Sequence, residues 1–82
     1  MHNLKNAKYI KDYIVELEFD NNEIGQIDFS YLTQKNGVFE KFKDIDFFKS
    51  FFVNKDSETL EWPGEIDLCP DTLYSQAIVE KK

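Results

Sequence analysis

Hydrophobic and polar positions alternate most sharply over residues 13–19. Tyr13, Val15, Leu17 and Phe19 fall on one side of an extended chain, and Glu16 and Glu18 fall on the other. This predicts a strand with one wet face. The stretch Asp20-Asn21-Asn22-Glu23 follows, rich in residue types that tolerate left-handed backbone, and predicts a hairpin turn. Residues 24–29 then return as a strand with Ile27 and Phe29 inward. Residues 3–10 form a weakly patterned first strand, so the first third of the chain reads as an antiparallel meander.

Beyond Phe29 the period changes. Residues 30–37 are a transition, with one helical turn at 30–33 and Gly37 closing the loop. Residues 38–43 fit either a short strand or an extended segment. Asp44 predicts a helix N-cap, with the helix over 45–50. Residues 51–54 have strand character, 55–58 form a polar turn, and 59–62 form a strand with Leu60 and Trp62 on one face. Pro63-Gly64 breaks that strand. Pro70 suits the first position of a helix and Asp71 complements the positive end of its dipole. Leu73, Ala77 and Ile78 supply an apolar stripe, so a short helix is expected over 70–79, with residues 80–82 a frayed tail. The expected fold class is α+β: a small antiparallel sheet of about five strands with two short helices packed on one face.

Composition narrows the function. A chain of 82 residues has room for one domain, residues 1–82. Its aromatic content of 16% argues against disorder. Lys5 and Lys8 are followed by no apolar signal region, and no apolar run approaches the ~18 residues of a membrane span. The one cysteine, Cys69, has no internal partner; these features predict a reducing, cytoplasmic setting. Ten lysines and no arginine face sixteen acids, a net charge of −6. Phosphate backbones are held by cations, so direct nucleic-acid binding is not expected. The acidity serves solubility or attracts a basic protein partner.

Candidate chemistry is sparse. His2 and Cys69 are each the only residue of their kind, and no metal-ligand spacing or glycine-rich phosphate loop is present. No cofactor or metal is expected. Cys69 just before Pro70 is the best nucleophile candidate, with His2 as the available base; a packing role at the helix entry is the competing reading. The pairs Asp67 and Asp71, and Asp44 and Asp46, read as caps and dipole partners. The denser signal is aromatic. Phe39, Phe42, Phe47, Phe48, Phe51 and Phe52 lie within fourteen residues, as a phenylalanine-rich core or as a contact surface.

From Trp62-Pro63 through Asp67-Leu68, Pro70 and Leu73-Tyr74, the chain resembles a small bacterial family catalogued as domain of unknown function 2442. Phe19-Asp20, Asp28-Phe29, Phe39, Phe42, Lys43-Asp44 and Phe48 extend the resemblance over nearly the whole chain. Asn22-Glu23 departs from it, standing where a glycine is common. The resemblance implies a compact α+β unit with an antiparallel sheet. Some relatives are fused to a helix-turn-helix domain; others are encoded beside a second small protein in toxin–antitoxin-type pairs. It assigns no catalytic residue.

Three functions remain open. The first is a non-catalytic protein–protein interaction module, the acidic, antitoxin-like member of a two-protein bacterial pair. Its candidate surface is Phe47, Phe48, Phe51, Phe52, Trp62, Pro63, Asp67 and Tyr74. The second is a self-associating structural or regulatory domain with the Phe-rich segment as dimer surface. The third is a small ligand-binding domain or enzyme using Cys69 or the carboxylates.

Overall fold

The computed structural model describes residues 3–35 and 37–79. It is α+β, built as two three-stranded antiparallel sheets with a few short helices. The first sheet is the expected meander: β1 (Leu4–Lys11), β2 (Ile14–Phe19) and β3 (Ile24–Asp28), in that order. Val15 pairs with Ile27 and Leu17 with Gly25, so the inward side chains of β2 and β3 lie side by side. Asp12 and Asn22 supply the left-handed conformations the two turns need.

Phe29 was expected to end β3. It instead opens a 3₁₀ segment (Phe29–Gln34), because the Asp28 carboxylate accepts from the Ser30 N–H at 2.9 Å and turns the chain. Residues 38–43 are neither strand nor extended; Gly37–Lys43 is a second 3₁₀ segment. Asp44 caps the next helix as expected, its side chain accepting from the Asp46 N–H at 3.0 Å. That helix, α1 (Ile45–Phe48), is shorter than the pattern suggests.

The second sheet contains β4 (Phe52–Asn54), β5 (Thr59–Trp62) and β6 (Ile66–Leu68). This corrects the expected single sheet of about five strands. β1 passes beside β4 and β5, and the Leu4 N–H donates to the Glu58 carbonyl at 3.3 Å, but no ladder joins the two sheets. The helical turns Phe29–Gln34, Gly37–Lys43 and Ile45–Phe48 stand between the two meanders along the chain. β6 escapes the sequence because three residues between a turn and a helix carry no period; Gly64 and Glu65, both at positive φ, reverse the chain into it.

The last helix begins at Pro70, forms α2 (Pro70–Tyr74), and widens into a π-helical turn (Ser75–Val79). Leu73 and Ala77 are buried, as the stripe predicts. The helix comes so close to β3 that a methyl on Gly25 would stand 2.5 Å from the Ala77 carbonyl oxygen; only glycine fits there. Residues 80–82 and His2 lie outside the described residues, as does the expectation of a frayed tail. No helix among the described residues is long and apolar enough to cross a membrane.

The core unites both sheets through aromatic rings. Trp62, Phe48, Phe42, Phe29 and Phe19 are fully buried. Phe42 and Trp62 have centroids 4.6 Å apart, and Tyr13 meets Phe48 edge-on at 4.8 Å. Two polar handles are satisfied: the Trp62 Nε1–H donates to the Phe48 carbonyl at 2.8 Å, and the Tyr13 hydroxyl to the Phe42 carbonyl at 2.7 Å.

Candidate interaction surface

The residues singled out from the sequence divide between interior and exterior. Phe48 and Trp62 are wholly buried and touch no solvent. They belong to the core, because a sheet of three- and four-residue strands has few other side chains with which to cover itself. Phe47 and Phe51 are half-buried and pack on that core; Phe51 lies 6.2 Å from Trp62, centroid to centroid. Lys41 sits over the outer side of the Phe47 ring, Nζ 5.8 Å from its centroid. Phe39 is also half-buried, 5.6 Å from Phe42. The Phe-rich segment is thus spent mostly inside, and Phe52, 43% exposed, is the ring it leaves in water.

Register explains Phe52. Leu60 and Trp62 point into the core, so Glu61 between them points out. Phe52 pairs with Glu61, and Glu61 with Asp67, which puts all three in one row across the outer face of the second sheet. Asn54 donates to the Glu61 carboxylate at 2.8 Å and fixes it. Exposed Pro63 follows at the end of β5. Phe52, Pro63 and Asp67 are therefore surface residues of one sheet.

Tyr74 lies elsewhere. Its ring packs edge-on against Phe19 at 5.1 Å, and its hydroxyl donates to the Glu23 carboxylate at the β2–β3 turn. Asn21 Nδ2 reaches the same hydroxyl oxygen at 3.5 Å. The bond to the Glu23 carboxylate holds Tyr74 above the usual tyrosine range, with the Asn21 bond working in the opposite direction.

Cys69 is exposed at the N-cap of α2 and makes no capping bond through its side chain. Among the described residues no three His, Cys, Asp or Glu side chains gather to hold a metal. A shallow open depression of about 70 Å³ is lined by Asn6, Ala7, Lys8, Glu16, Glu18 and Ile24, on the outer face of the first sheet. Lys5 lies 3.8 Å from Glu18 beside it. Ile24 is 57% exposed and was not singled out from the sequence. Its exposure follows from register: it is the cross-strand partner of Glu18, and both face outward.

No curated protein and no solved structure matches the chain. One family does match, over residues 4–79, and its description reads "Protein of unknown function (DUF2442)". That span takes in the first sheet, the aromatic core and the terminal helix, and the chain is a member of this family.

Proposed function

We propose that the chain is a non-catalytic protein–protein interaction module, the acidic, antitoxin-like member of a cytoplasmic two-protein bacterial pair. The observation that carries this reading is the imbalance of its surface. Sixteen acids oppose ten lysines, a net charge of −6. Such a surface attracts a basic protein at long range and accelerates its capture. Exposed Phe52 and Ile24 add apolar contact area of the kind that partners cover.

The test is affinity capture of the tagged chain from its native host at low and moderate salt, followed by mass spectrometry. A small basic protein should co-purify in stoichiometric amount and weaken as salt rises. Recovery of the chain alone at both salt concentrations argues against the reading.

A further inference from the structure

The edge of the first sheet carries a more specific assignment. An antiparallel ladder alternates between pairs that exchange main-chain bonds and pairs that do not. The β2–β3 ladder is bonded at both ends: Phe29 N–H donates to Tyr13 carbonyl at 2.8 Å, and Phe19 N–H to Glu23 carbonyl at 3.0 Å. In the same register the bonded pairs between them are Val15 with Ile27 and Leu17 with Gly25. Ile24, Gln26 and Asp28 therefore turn their main-chain groups away from β2.

β3 ends its sheet, so those groups face outward from the edge. Among the described residues no main-chain bond beyond the ladder reaches Ile24, Gln26 or Asp28. The terminal helix packs against β3 at Gly25, which faces inward, and Ile24, Gln26 and Asp28 are exposed residues. Edges of this kind are normally blunted by lysine, proline or a bulge. β3, Ile24-Gly25-Gln26-Ile27-Asp28, has neither residue and keeps an unbroken register with β2.

Charge selects what can lie there. From Asp12 to Gln34 the chain has six acids (Asp12, Glu16, Glu18, Asp20, Glu23 and Asp28) and no lysine. A second copy carries the same net charge of −6, which disfavours its approach. An extended segment carrying lysine or arginine is complementary.

We propose that β3 is a strand-addition site for an extended basic segment of a partner protein, paired through the main chain of Ile24, Gln26 and Asp28. This deepens the interaction-module reading and rests on it. The added strand exchanges main-chain bonds at the positions opposite these three residues. Cross-strand partners share a face, so its basic side chains at those positions lie over the outer face, where Glu16, Glu18 and Asp28 stand with Lys8 opposite Glu16 and Lys5 3.8 Å from Glu18. Its intervening apolar side chains point inward, toward the side on which the helix packs.

The probe is a blocked octapeptide alternating lysine and valine, titrated against the full chain by NMR. Amide signals of Ile24, Gln26 and Asp28 should move and gain exchange protection. N-methylation of the lysine amides, which face β3, should weaken binding by about tenfold or more. N-methylation of the valine amides, which face away, should change it less than about twofold. Equal binding of the two methylated peptides, or a dimer of the chain forming through β3, overturns the proposal. Gln26→Pro tests the protein side. Its N–H faces outward, so proline is tolerated there, and peptide affinity should fall about tenfold while the thermal midpoint holds. If Gln26→Pro still captures the host partner at full yield, the edge assignment fails and the module reading stands. If no partner is captured while the peptide still binds β3, the reverse holds.

Discussion

The two sheets of this chain are specified in different ways. The first has strands of eight, six and five residues, long enough for alternation to fix which side chains face inward. The second has strands of three, four and three residues, and only in β5 does an alternation, Leu60 and Trp62 inward, show in the sequence. What orients the second sheet is a contact distant in sequence: Trp62 fills the space between the sheets and ties its indole N–H to the Phe48 carbonyl. Local pattern builds one half, and burial of a few large rings builds the other.

Trp62→Ala strikes that difference hardest. It removes the largest buried side chain and leaves the Phe48 carbonyl without its donor, so it should cost about 3–5 kcal/mol. A chain of this size holds roughly 4–12 kcal/mol in total, so most of its stability goes. Ile27→Val, which trims one methylene from the first sheet, should cost only about 0.5–1.5 kcal/mol. Urea denaturation of both variants measures the contrast. A loss below about 1 kcal/mol for Trp62→Ala would sink the claim that rings organise the second sheet.

The same contrast explains what the sequence discloses. The β2–β3 hairpin follows from four alternating apolar residues and a run of Asp and Asn, all within seventeen residues of chain. The Asp44 cap and the proline at the first position of α2 are equally local. Residues 37–43 defeat local reading because two phenylalanines among lysines suit a strand or a helical turn alike; the 3₁₀ form is chosen by Phe42 entering the ring cluster. β6 is likewise held by a contact that its own residues do not announce, Ile66 meeting the core. Of the candidate surface, Phe52, Pro63 and Asp67 lie outside together, whereas Phe48 and Trp62 lie within. Residue type alone does not separate a core ring from an exposed one. The order of β1, β2 and β3 was legible as a meander, but that the sheet stops at β3 was not, because the expected sheet of about five strands ran on past it.

Gly25→Val probes the seam between the first sheet and the terminal helix. The new side chain meets the Ala77 carbonyl, the Ala77 side chain and Ile78, so the helix must shift outward. A loss of about 1–3 kcal/mol is expected. Hydrogen exchange should speed up over 70–79 more than over β1 and β2. Uniform acceleration across the chain would mean that helix and sheet open as one unit.

The caps allow a finer comparison. Asp28→Ala and Asp44→Ala each remove a side-chain acceptor from a backbone N–H, one just after the first sheet and one before α1. Each should cost about 0.5–2 kcal/mol. Their effects should add within about 0.5 kcal/mol if the two turns are independent, and a double-variant denaturation series decides this.

The smallest effect concerns the bond between Tyr74 and Glu23, which fastens the helix to the β2–β3 turn. The carboxylate raises the Tyr74 pKa in the folded chain above that of the unfolded chain. The folded state therefore holds this proton more tightly. Its contribution is complete at neutral pH and is lost as the pH rises through the alkaline range in which Tyr74 ionises. Glu23→Gln removes the anionic acceptor, so the phenolate absorbance of Tyr74 should appear at lower pH than in the parent chain. Tyr74→Phe removes that transition and leaves Phe19 its ring contact, so neutral-pH stability should change little. An unshifted titration in Glu23→Gln would show that the carboxylate does not govern Tyr74, and that packing on Phe19 holds the helix against the turn.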